Sequence, residues 1–136
     1  MKKYILLVVI SLAFGACTSD NLSPAEKGLV GTYQAISDPL RCAAPTTQGL
    51  RITADGAQLK ITYDYFGKAG YELSNVTTEE KDGETKLFYK GAELGKYVRD
   101  SYLKWNGKQF DTIEGMVLYL RYGQPQAEHI EFMGAK

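Results

Sequence analysis

Few side chains in this sequence belong to types that do chemistry, and their spacing narrows what they can do. His129 is the one histidine. Glu131 follows it, and on a strand a His-x-Glu pair shares one face at about 6.6 Å along the chain. A bound metal needs more ligands, and no second His or Cys stands at ligand spacing, so a solvent-facing pair on an edge strand is expected. Asp111 and Glu114 flank an expected bend. Two carboxylates are the equipment of glycoside hydrolysis, but no pocket can be inferred around this pair. The run Glu79-Glu80-Lys81-Asp82-Gly83-Glu84 lacks the alternating ligands of a calcium loop and reads as a solubilising turn. Cys42 has Arg41 beside it, and a basic neighbour lowers a thiol's pKa, but the flanking residues of a papain-like nucleophile are absent. The expectation is therefore no enzyme, no cofactor and no metal.

The elements that would carry these residues have a period of two. Over 57–66, Leu59, Ile61, Tyr63 and Tyr65 alternate with Gln58, Lys60, Thr62 and Asp64, the pattern of a half-buried antiparallel strand. Over 116–122, Met116, Leu118, Leu120 and Tyr122 take one face, with Val117, Tyr119 and Arg121 on the other. Ile130 and Phe132 repeat the alternation near the end. Asp55-Gly56, Asp82-Gly83 and Asn106-Gly107 are two-residue hairpin signals, because both central positions tolerate positive φ. Strands are expected near 29–36, 49–54, 57–66, 70–78, 84–90, 96–105, 108–113, 115–122 and 127–133. A meander of eight or nine strands hides its edges by closing into a barrel, with a sandwich as the alternative. The interruption is 37–49, a connection around Cys42 long enough to serve as a crossover or a functional loop.

Tyrosine is the collective signal. Tyr33, Tyr63, Tyr65, Tyr71, Tyr89, Tyr97, Tyr102, Tyr119 and Tyr122 all fall in the expected strands, with Trp105. An apolar ring with a polar tip suits strand packing, wet cavities and interfaces alike. Tyr63 and Tyr65 share a face with Leu59 and Ile61 and should point inward. Tyr102 and Tyr119 fall opposite their strands' main apolar sets and should be exposed.

The amino terminus has a different composition. Met1-Lys2-Lys3 precedes an uncharged, mostly apolar run over 4–14. At 1.5 Å per residue that run spans about 16 Å, too short for a bilayer, so it reads as the core of an export signal. Phe14-Gly15-Ala16-Cys17 resembles the lipobox of bacterial lipoproteins, with Phe14 where Leu is usual. The resemblance implies alkylation of the Cys17 thiol by a diacylglyceryl group, cleavage before Cys17, and often acylation of the new amino terminus. It also implies an outer-membrane location in the cell envelope, since Thr18 rather than Asp follows the cysteine; the membrane face stays open. Lipidation at Cys17 would leave Cys42 without an intramolecular partner. Cys42 is then a small buried residue, an intermolecular disulfide or a reactive thiol. The organisation expected is a signal peptide at 1–16, a lipidated tether at 17–27 and one domain at 28–136.

Leu29-Val30-Gly31-Thr32-Tyr33 resembles the opening of a small lipocalin-like domain, in which a Gly-x-aromatic motif begins the first strand and the ring plugs the barrel floor. Tyr33 stands where Trp is commoner. The resemblance implies an antiparallel barrel whose interior either holds a small apolar ligand or is filled. After removal of Lys2 and Lys3 the chain carries fourteen basic against sixteen acidic side chains, which gives no bulk attraction to nucleic acid. Two readings follow. One is a monomeric, lipid-anchored module that binds a small apolar or amphipathic ligand among Tyr33, Leu59, Ile61, Tyr63, Tyr65, Leu118, Leu120 and Ile130. The other is an accessory protein of an envelope complex, using Cys42, Tyr102 and Tyr119 as its partner surface. An unfilled interior separates the first from the second.

Overall fold

The computed structural model describes residues 21–36, 49–65, 68–123 and 129–136, without the side chains at 64, 65, 68, 69 and 129. Helix α1 (Pro24–Leu29) is followed by eight strands: β1 (Gly31–Ala35), β2 (Gly49–Asp55), β3 (Gln58–Tyr65), β4 (Lys68–Lys81), β5 (Glu84–Tyr89), β6 (Ala92–Trp105), β7 (Phe110–Gly123) and β8 (His129–Ala135). Each strand pairs antiparallel with the next, and β8 returns to β1, closing an all-β, lipocalin-like barrel. Closure removes the exposed sheet edges that a meander would otherwise present. Cys17, Cys42 and most of the long 37–49 connection lie outside the described residues, as does the Tyr65 side chain.

Local chemistry shapes the strands. Asp82 and Gly83 both take positive φ, 53° and 79°, as a two-residue primed turn requires. At the first hairpin Gly56 has φ 63° and the register pairs Asp55 with Gln58. The loop is therefore Gly56-Ala57, one residue later than the dipeptide signal placed it. Asn75, with φ 60°, sits where the β3–β4 register shifts between Leu59↔Val76 and Ile61↔Leu73. That bulge lets Leu73 and Val76, three residues apart, both reach the core.

Two strands expected over 108–113 and 115–122 are one. β7 runs through Gly115 without a bend, paired with β6 from Trp105↔Phe110 to Gly95↔Leu120. Gly115 lies beneath the Tyr102 ring, and a Cβ there would approach its edge at 3.5 Å. An aromatic ring covering a strand glycine replaces the packing that glycine lacks.

The interior holds Leu50, Ile52, Leu59, Ile61, Leu87, Leu118 and Ile130, all within about one percent of complete burial. Tyr33 meets Tyr97 edge to face at 6.0 Å, and Tyr63 meets Phe132 likewise at 6.1 Å. Helix α1 stoppers the end at which β1 begins. The Ser23 hydroxyl accepts from the Glu26 amide at 3.2 Å, while the Glu26 carboxylate accepts from the Ser23 amide at 2.8 Å. Pro24 at the first turn completes the start signal. Six residues are too few to hold a helix alone. Burial of Leu22 and Leu29 supplies about 2 kcal/mol each, and the Thr78 hydroxyl donates to Glu26 at 3.0 Å.

Candidate functional site

Apart from Tyr65, whose side chain is outside the described residues, the residues expected to line a ligand site lie inside the barrel, and there they pack against one another. Tyr33, Leu59, Ile61, Leu118 and Ile130 have no exposed surface, and Tyr63 and Leu120 have 3%. A side chain that water cannot touch from either side fronts no hollow able to hold a ligand. The Tyr33 hydroxyl is also committed, donating to the Leu29 carbonyl at 2.7 Å. Burial, reinforced by the adjacent Tyr97, holds its pKa well above the ordinary tyrosine range.

The residues expected on the partner surface behave differently from each other. Tyr102 is 9% exposed, which corrects its assignment as an exposed ring. It packs with Val117 and Ala135 in a second apolar cluster on the outer wall, joined by Ile36, Ile113, Tyr119 and Met133. Tyr119 is half-buried, and its hydroxyl donates to Asp100 at 2.7 Å. That bond, with the Ser101 amide at 2.8 Å, holds the Asp100 carboxyl below its usual range.

The outer cluster exists because β6 and β7 outrun their neighbours. β5 pairs with β6 only as far as Tyr97, and β8 pairs with β7 only from Leu118. The remaining hairpin, from Val98 to its tip and back to Val117, continues past the barrel wall. A free two-stranded ribbon is marginal in water. This one is supported where Tyr102 and Ile113 pack with Ile36, Met133 and Ala135, residues of the β1–β8 seam.

Between the hairpin and that seam lies an open groove of about 270 Å³. Gln34, Ala35 and Ile36 form one side; Tyr102, Leu103, Lys104 and Trp105 form the other; Ala135 and Lys136 close it. The Lys136 ammonium donates to the carbonyls of Gly28 and, at 2.9 Å, Val30, and lies 5.4 Å over the Tyr33 ring. Partial burial lowers its pKa. Apolar walls with a few polar groups at the rim are the ordinary make-up of a binding site, and this volume sits just under the roughly 300 Å³ at which small-ligand sites begin.

At the hairpin tip, Trp105 and Phe110 are 45% and 44% exposed, the large hydrophobic side chains left in water among the described residues. They face each other across the ladder with ring centroids 5.0 Å apart. The turn beneath them is tightly bonded. The Asn106 side-chain oxygen accepts from the Lys108 and Gln109 amides, at 2.9 and 3.0 Å. Its amide group donates to Asp111 at 2.7 Å, and the Gln109 side chain donates to the same carboxylate at 3.0 Å.

The remaining candidates do not assemble. Asp111 braces the turn, and in a continuous strand Glu114, three residues on, faces the other way. Glu131 pairs in register with Arg121 and His129 with Gly123. Among the described residues no three His, Cys, Asp or Glu side chains gather as a metal site. Among them, too, no helix is long and apolar enough to cross a membrane. Sequence reasoning passed over Ile36, Leu103, Lys104, Ala135 and Lys136. The signal available was Trp105, the sole tryptophan, and Phe110 on either side of an Asn-Gly turn. Comparison with protein-family models, curated proteins and solved structures finds no match to this chain.

Proposed function

We propose that this chain is a lipid-anchored, non-enzymatic binding module of the bacterial outer membrane whose site is the outer groove rather than the barrel interior. The observation that carries the reading is the contrast in packing. The described interior side chains are sealed against one another, while an open groove lies between β1 and the β6–β7 hairpin. Ile36, Leu103 and Trp105 provide apolar surface, and Lys104 stands at the rim. That combination suits a small amphipathic molecule with an acidic head. The lipobox-like sequence at Cys17 supports the anchoring.

Trp105 is the single tryptophan and lines the groove, so its emission reports occupancy. Titration with dodecanoate below its micelle concentration should give a saturable change in emission. Leu103→Asp, a half-buried position on the groove wall, should weaken binding at least about tenfold, the equivalent of about 1.4 kcal/mol. An unchanged affinity in that variant would place the site elsewhere.

A second reading rests on a separate observation. Beyond Tyr97, β6 pairs only with β7 among the described residues, and before Leu118 β7 pairs only with β6. Both rims of the hairpin thus offer backbone groups to an added strand, the mode by which an accessory protein of an envelope complex would recruit an extended segment. Cross-linking from a photoreactive residue at position 112 would capture such a partner.

A further inference from the structure

We infer that the hairpin tip is a second membrane contact, in which Trp105 and Phe110 enter the headgroup layer beside the lipid anchor. The inference rests on the lipid-anchor reading of Cys17 and adds an element to it. In a meander, the hairpins β2–β3, β4–β5 and β6–β7 all lie at the end where β1 begins. Helix α1 leads into β1 at that end, and Thr78, near the β4–β5 turn, holds Glu26 of α1 there. The described chain starts at Asn21, four residues after Cys17. Four residues reach at most about 14 Å. An acylated Cys17 therefore keeps the α1 end of the barrel against the bilayer. The β6–β7 turn lies at that same end in the meander, and from Tyr97 to Trp105 the hairpin runs for eight residues, about 26 Å at 3.3 Å each, leaning along the outer wall so that Trp105 lines the groove with Gln34, Ala35 and Ile36.

The chemistry of the tip matches the surface it would meet. Indole and phenyl rings partition into the interface between headgroups and acyl chains. Lys104 and Lys108 flank the rings and suit anionic headgroups. Asp111 is the acidic group of the tip, and the Asn106 and Gln109 amides already bind its carboxylate. The same bonds fix the turn, so the exposed pair is presented rigidly and loses little entropy on insertion. Burial in the fold does not explain the pair, since each ring keeps over 40% of its surface in water. The location of Trp105 also brings one end of the groove to the membrane surface.

The test uses the full chain, produced in a Gram-negative host, purified in detergent and reconstituted into phosphatidylethanolamine–phosphatidylglycerol liposomes. Mass spectrometry of the Cys17 peptide reports the acyl groups. A fraction of phosphatidylcholine brominated near the headgroup then quenches tryptophans at interfacial depth, and Trp105 is the only one. The expected result is an acylated Cys17 with about a two-fold loss of emission, a depth matching insertion of about 5–10 Å. Phe110→Ser should reduce that loss while leaving the unfolding midpoint unchanged. An acylated protein with no quenching would overturn the tip contact and leave the anchor standing. An unmodified Cys17 would remove the anchor reading, and the tip contact with it.

Discussion

The Tyr33 hydroxyl donates to the Leu29 carbonyl at 2.7 Å, so the first inward side chain of the barrel ties down the helix that stoppers it. Both residues are fully buried, and the Leu29 carbonyl belongs to the last turn of α1, where helix carbonyls lack helical donors. Tyr33→Phe keeps the ring and deletes the donor. It should cost about 1–3 kcal/mol, because a buried carbonyl loses its partner. Urea unfolding should show a lower midpoint with an unchanged slope.

The same phenol makes the barrel sensitive to alkali. Its pKa in the folded state is raised above the unfolded value of about 10 by burial first and by Tyr97 second. The stability linked to it is therefore complete below pH ~10 and declines as pH rises beyond that value. Tyrosinate absorbance should include a component that appears only together with cooperative unfolding. In Tyr33→Phe that coupled component should disappear, leaving a shallower alkaline loss of stability.

Barrel closure depends on a glycine. The β1–β8 ladder is short, with Gln34↔Ala135 and Ala35↔Gly134 in register and the Ile36 amide donating to Met133 at 3.0 Å. A Cβ on Gly134 would overlap the Phe132 ring and stand 2.7 Å from the Gln34 carbonyl oxygen. Gly134→Ala should destabilise by about 1–3 kcal/mol through overpacking. Hydrogen exchange should quicken first at the β1 and β8 amides.

Much of the architecture was readable from alternation alone. The run from Gln58 to Tyr65 announced its inward face, and Leu59, Ile61 and Tyr63 occupy the core as expected. Asp82-Gly83 announced its turn. The bend expected between Asp111 and Glu114 does not form, and the glycine that follows it, Gly115, stays inside a continuous strand because the ring of Tyr102 across the ladder covers it. Tyr102 misled for a related reason. Strand-by-strand alternation correctly sets it on the outer wall, but it cannot show that Ile36, Met133 and Ala135 will cover that wall. The groove was hidden because it arises from a difference in strand length. β6 and β7 pass the ends of β5 and β8, and that offset is set by the closed barrel rather than by any local pattern.

The exposed tip pair should matter little to stability. Trp105→Ser and Phe110→Ser should each shift unfolding by less than about 1 kcal/mol, as expected for rings that remain in water. Leu118→Ala, in the sealed interior, should cost about 2–5 kcal/mol. Thermal or urea denaturation of the three variants makes the comparison. A tip variant as damaging as Leu118→Ala would make the pair part of the fold.

The most direct test separates the groove from the interior. Methyl-labelled protein, titrated with dodecanoate and followed by carbon–proton NMR, reports both regions in one experiment. A groove site predicts saturable shifts at the methyls of Ile36 and Leu103, with Leu59, Ile61, Leu118 and Ile130 unmoved. Shifts concentrated on those four interior residues would show a ligand inside the barrel and contradict the account.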